Sequence, residues 1–177
     1  MKTKVKKRTW IALLNLLFLF TAVNAQPVRQ YLHEGWNFRQ ARGTNWYAAT
    51  VPGTVHTDLM DNKLIDDPFY RLNERGVQWV DKEDWIYRTT FDVTPELLAK
   101  KNIVLHFEGL DTYADVTLNG KKILSADNMF CKWQADVRSL LKEHGNELQV
   151  YLHSPIKIAM PKWEAVPFQY RLSLIHI

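Results

Sequence analysis

Six histidines, one cysteine and 19 acidic side chains are the groups in this 177-residue chain best suited to binding a metal, attacking a carbonyl or relaying a proton. Their spacing supports none of these chemistries. His33, His56, His106, His144 and His153 are scattered and lack the tight grouping that zinc ligands require, so they read as strand and surface histidines. Asp111, Asp115 and Asp127 straddle a strand and a hairpin, which suits solvated turn acids better than a calcium loop. Cys131 is alone, so no internal disulfide forms. Its neighbours Phe130 and Trp133 predict a small buried hydrophobe rather than a nucleophile. The chain contains no phosphate-binding glycine loop, Gly-x-Ser-x-Gly elbow, Cys-x-x-Cys pair or His-Glu-x-x-His helix. No catalytic residue, metal ligand or cofactor is assigned, and no residue is assigned to substrate.

The elements that would position any site are strands. Trp85, Tyr87, Thr89, Phe91 and Val93 alternate with Arg88, Thr90 and Asp92; Ile103, Leu105 and Phe107 alternate with His106 and Glu108. Ala114, Val116 and Leu118, then Leu148, Val150 and Leu152, repeat the pattern, and Trp36 beside Phe38 marks another core strand. A slip of one residue would turn each apolar set to water, so the registers are well specified. Asn119-Gly120 predicts a two-residue type I′ hairpin, and Gly145-Asn146 a turn before the Leu148 strand. Helical signals are short, at Pro95–Leu98 after Thr94 and at Val137–Lys142. Many short strands and no long helix predict an all-β antiparallel sandwich. Residues 51–79 are turn-rich, aromatic and aperiodic, which fits either a functional or interfacial loop or one that packs over a sandwich edge.

Charge divides the chain in two. Lys2, Lys4, Lys6, Lys7 and Arg8 precede a run of 14 mostly apolar residues, Trp10–Val23. Val23-Asn24-Ala25 supplies small residues at the −3 and −1 positions, predicting a signal peptide over residues 1–25 cleaved between Ala25 and Gln26. The apolar run is short of the roughly 20 residues that span a bilayer. An exported protein follows, periplasmic or secreted and free of the membrane after cleavage. The remaining 18 basic and 19 acidic residues leave a net charge of −1 and no electrostatic pull toward nucleic acid. That stretch also holds six Trp, seven Tyr and six Phe, rings suited both to a core and to stacking on sugars.

An ordered series of motifs carries a resemblance. It comprises Gly35-Trp36-Asn37-Phe38-Arg39, Val51-Pro52-Gly53-Thr54-Val55-His56-Thr57-Asp58-Leu59, Asp67-Pro68-Phe69-Tyr70 with Asn73-Glu74, and Asp84-Trp85-Ile86-Tyr87. Phe107-Glu108-Gly109-Leu110-Asp111-Thr112-Tyr113-Ala114-Asp115-Val116, Leu118-Asn119-Gly120, Asp127-Asn128-Met129-Phe130 and His153-Ser154-Pro155 complete it. From about Gly35 to Tyr170 the chain resembles the N-terminal sugar-binding-type domain of the β-mannosidases of glycoside hydrolase family 2. The resemblance implies a galactose-binding-like jelly roll spanning residues 26–170. It also implies a parent enzyme that removes terminal β-mannose from oligosaccharides with retention of configuration. In that family two glutamates on a (β/α)8 barrel do the chemistry, about 5–5.5 Å apart. A barrel needs roughly 250 residues, so Glu34, Glu108 and Glu164 inherit no catalytic role. The Trp-Asp segment that reaches the mannose pocket in relatives is also missing, and residues 171–177 depart from the family pattern. The expected reading is a truncated gene product, inactive alone, whose partners are the missing barrel and, through the parent, a mannose-containing oligosaccharide. The alternative is a free-standing carbohydrate-binding sandwich. Missing closing strands would leave an uncovered sheet edge and a tendency to aggregate.

Overall fold

The computed structural model describes residues 27–167. The predicted signal segment, its Ala25–Gln26 cleavage point and the 171–177 tail lie outside the described residues. The chain divides into two compact units, Met1–Gln30 and Tyr31–Ile177. Of the first, residues 27–30 are described and hold no helix or strand.

The second unit is an antiparallel sandwich. Its main sheet contains β1 (Asn37–Gln40), β2 (Tyr47–Ala48), β3 (Trp85–Phe91), β5 (Ala114–Leu118), β6 (Lys121–Ala126) and β8 (Asn146–Leu152), in the order β2-β1-β3-β8-β5-β6. The second sheet pairs β4 (Val104–Phe107) with β7 (Trp133–Asp136). Among the described residues the unit also holds the α-helices α1 (Val55–Asp61), α2 (Pro95–Leu98) and α3 (Pro155–Glu164).

Register explains the layering. Phe38, Tyr87, Val150, Val116 and Leu124 align across β1, β3, β8, β5 and β6, forming one apolar row directed into the core. The neighbouring row, Arg39, Ile86, Tyr151, Asp115 and Ser125, belongs to the opposite face. Beneath the core row lies a composite second layer. Ile103, Leu105, Phe107, Trp133, Ala135 and Val137 pack from the β4–β7 side, while Leu59, Val77 and Val80 pack from α1 and the segment after it. The residue spacing therefore located the central strands of the main sheet and β4, but it revealed neither β7, the partner of β4, nor the helical segments that share the second layer.

Two departures concern strand faces and helices. Ile86 is only 6 % exposed although it shares a face with Arg39 and Tyr151, so β3 is buried on both sides at this point. The expected helical turns at Val137–Lys142 form a tight turn, with the Leu140 and Leu141 amides donating to the Val137 carbonyl. Asn146 prevents further winding: its fully buried amide accepts from the Lys142 N–H and donates to the Lys142 carbonyl, and it pairs with Asn119 at 3.0 Å. Asn119 and Gly120 have φ of 52° and 80°, as a type I′ turn requires.

Candidate functional site

Residues 51–79 form an organised structure with a buried half and an exposed half. The organised part begins at Gly53, where a Cβ would stand 2.3 Å from the Thr50 carbonyl oxygen, so no side chain fits. Thr54 then caps α1. Its Oγ1 accepts from the Thr57 N–H, and Thr57 Oγ1 accepts from the Thr54 N–H. Asp58, buried in the first turn, accepts from the Thr50 amide at 2.8 Å and from the Tyr87 hydroxyl at 2.7 Å. Burial first, and the bond and charge of Asp58 second, push the Tyr87 phenol far above its ordinary pKa.

Helix α1 ends in a Schellman motif, with the Lys63 N–H donating to the Met60 carbonyl and the Leu64 N–H to the Leu59 carbonyl. Lys63 occupies the left-handed position at φ 58°, a place that favours glycine. Beyond it the chain presents apolar groups to solvent: Phe69 is 94 % exposed, Tyr70 56 % and Leu72 60 %. A short 3-10 segment, Asn73–Val77, returns Val77 to the core. Lys63, Leu64, Ile65 and Asp66 on one side, and Asn73, Gly76, Val77 and Trp79 on the other, enclose a groove of about 320 Å3. The packing reading of residues 51–79 holds for part of the segment. The helix and Val77–Val80 pack over the core, while residues 64–72 form an exposed apolar rim of the kind used at interfaces.

The outward sheet face carries the polar side chains. Asp115 is held at about 2 by the Lys122 ammonium, with help from Ser125 and His153 and against an opposing push from burial. At the same end Asp84 accepts from the Ser154 N–H at 2.8 Å and from the Tyr151 hydroxyl at 3.0 Å. Burial opposes ionisation of Asp84, but these two donors and Lys157 outweigh it and lower its pKa. Two arginine guanidinium groups approach the Trp46 ring, Arg88 at 3.7 Å and Arg39 at 4.9 Å from its centre. These contacts brace the sheet; none pairs a nucleophile with a base.

The residues weighed from the sequence are dispersed. Glu34 precedes β1, Glu108 follows β4 and Glu164 ends α3. Lys132, joined by His106, holds the Glu108 carboxyl below the usual range, leaving it an ionised surface acid rather than a proton donor. His33 stacks on Tyr31, His56 lies in the first turn of α1, and His144 pairs with Asp92. Among the described residues no group of three or more His, Cys, Asp and Glu is placed to hold a metal. Cys131 corrects the expectation of burial: it is exposed, beside a Phe130 that is 89 % exposed. The 127–132 connection is a turn organised by Asn128, which accepts from the Phe130 N–H, the Cys131 N–H and the Trp133 indole. Its apolar residues therefore follow turn geometry rather than strand alternation.

Helix α3 was not anticipated. Ser154 caps it by accepting from the Lys157 N–H, and Pro155 opens it, a start signal present in the sequence; Pro161 inside the helix obscured the pattern. None of its residues is buried, and Ile156, Met160 and Trp163, at helical spacing, remain exposed. Among the described residues no helix is long and apolar enough to cross a membrane.

This geometry is that of a known domain type. A family described as glycosyl hydrolase 2 galactose-binding domain-like matches residues 36–175. The chain is 44% identical over 126 residues to beta-mannosidase B of Thermothelomyces thermophilus, and 42% identical over 118 residues to that of Emericella nidulans. These alignments cover 70% and 64% of this chain but 15% and 14% of the relatives, so the chain spans about one-seventh of their length. The solved β-D-mannosidase of Dictyoglomus thermophilum superposes with a TM-score of 0.74 at 49% identity, covering 77% of this chain and 17% of that one. The expected all-β, galactose-binding-like sandwich is the observed one, without the barrel that would supply catalysis, and the chain belongs to the glycosyl hydrolase 2 galactose-binding domain-like family.

Proposed function

We propose that this chain is the leading, non-catalytic domain of an exported β-mannosidase. The parent is a retaining exo-hydrolase of terminal β-mannose, and a barrel encoded downstream supplies its two catalytic glutamates. The single observation that carries this role is the solvent-exposed apolar rim of residues 64–72, where Phe69, Tyr70 and Leu72 face water within one short segment. Placing Phe69, Tyr70 and Leu72 in water is unfavourable, and covering them with another domain removes that cost. The beta-mannosidase names of the relatives support the substrate class. The cationic start, apolar run and Ala25–Gln26 junction support export to the periplasm or the medium.

The test compares the chain with its full-length parent on an aryl β-mannoside. The expected result is turnover by the parent and none by the chain. Turnover that follows this chain through successive purification steps would overturn the proposal.

A further inference from the structure

We propose that Asn119 is a site of spontaneous deamidation that the fold holds shut, because three hydrogen bonds keep its side-chain amide away from the main-chain nitrogen of Gly120. The inference concerns this hairpin alone and goes beyond the role as a leading domain.

Asn119-Gly120 is the one Asn-Gly pair in the sequence. In such a pair the glycine main-chain nitrogen attacks the asparagine Cγ. A C–N bond forms, the Cγ–Nδ2 bond breaks, and ammonia leaves with the proton given up by the glycine nitrogen. Water then opens the five-membered imide at either carbonyl, giving aspartate or isoaspartate, and no oxidant or reductant takes part. Glycine permits the attack because no side chain shields its nitrogen. Gly120 is exposed, and outside the adjoining residues no atom stands within 4 Å of the place its Cβ would occupy, so solvent reaches this turn.

What closes the site is the set of partners that Asn119 finds on neighbouring segments. Its Nδ2 donates to the Leu140 carbonyl at 2.8 Å and to Asn146 Oδ1 at 3.0 Å, and its Oδ1 accepts from the Glu147 N–H at 2.9 Å. The Asn119 N–H in turn donates to the Glu147 carbonyl at 2.8 Å. Asn146 is itself fixed, being fully buried and bonded to Phe91 and Lys142. The Asn119 amide is therefore held toward β8 and the turn after Val137, and the imide forms only once all three side-chain bonds open. Opening each bond lowers the reactive population about fivefold, so the folded chain should react about a hundredfold more slowly than the unfolded one. The product does not fit the same cradle. An aspartate at this position has no Nδ2 protons for Leu140 and Asn146, and sets a carboxylate oxygen against two acceptors. Isoaspartate also adds a carbon to the main chain, within a two-residue turn whose φ values of 52° and 80° set the β5–β6 register. Modification is thus a one-way exit: unfolding permits it, and it then hinders refolding.

The test incubates the intact chain at mildly alkaline pH, with and without urea, and follows each asparagine by peptide mass spectrometry. The expected result is conversion at Asn119 ahead of every other asparagine in urea, and conversion about a hundredfold slower without it. Asn146→Ala removes one of the three bonds, and should speed the folded-state reaction about fivefold while leaving the rate in urea unchanged. Asn119→Asp, which carries the charge of the product, should unfold at a lower urea concentration than the wild type. Equal rates in folded and unfolded chains would overturn the proposal, as would another asparagine reacting first in urea. An unchanged folded-state rate in Asn146→Ala would overturn the clamp, and wild-type resistance to urea in Asn119→Asp would overturn the one-way exit. Should Asn146→Ala fail to fold, the wild-type comparison with and without urea still decides.

Discussion

The Tyr87 hydroxyl donates to Asp58 Oδ2 at 2.7 Å, joining the first turn of α1 to the centre of the main sheet. This bond ties the 51–79 segment to the sheet that it covers. Asp58→Ala leaves the Tyr87 hydroxyl and the Thr50 amide without their acceptor, and should cost about 3 kcal/mol. Tyr87→Phe keeps the Thr50 bond and should cost about 1–2 kcal/mol. Urea denaturation measures both, and equal costs would contradict the asymmetry.

The same pair determines an alkaline limit. The folded state resists ionisation of Tyr87, so its contribution is complete below about pH 10, the ordinary tyrosine value. It is lost as pH rises above that value, where only the unfolded chain ionises readily. Stability of the wild type should fall more steeply above pH 10 than stability of Tyr87→Phe. Parallel slopes would refute this coupling.

At acid pH the relevant group is Asp115. With its carboxyl held at about 2, it contributes stability above the ordinary carboxylate range and loses that contribution as pH falls toward 2. Partial exposure of Asp115 and Lys122 limits the contribution to about 1 kcal/mol and makes it salt-sensitive. Asp115→Asn should flatten the acid limb of the stability profile at low ionic strength.

Two backbone positions respond in opposite directions. Gly53→Ala forces a Cβ against the Thr50 carbonyl and should destabilise by about 2–3 kcal/mol, or prevent folding. Lys63→Gly relieves a left-handed residue at the end of α1 and should stabilise by about 0.5–1 kcal/mol. Thermal melts of the two variants should shift to opposite sides of the wild type.

Strand periodicity was legible in β3, β4, β5 and β8, whereas β7, only four residues long, was missed. Ala114, Val116 and Leu118 announce β5, and Asn119-Gly120 its hairpin, because both signals are local. Helix α1 was not legible because it is seven residues long and its capping box uses Thr57 where glutamate or glutamine is usual. Ile86 looked like an ordinary strand residue, and its burial depends on what covers the outer face. At the candidate site, the sequence singled out residues 51–79 as unusual. The groove itself could not be read, since Asp66 and Trp79 meet only after α1 and the Asn73–Val77 turn bring the chain back.

Hydrogen–deuterium exchange of residues 64–72, compared between this chain and the full-length parent, tests the central claim most directly. A rim covered by a catalytic domain predicts rapid exchange in the isolated chain and strong protection in the parent, with β3 and β8 equally protected in both. Equal, rapid exchange of residues 64–72 in both proteins would contradict it.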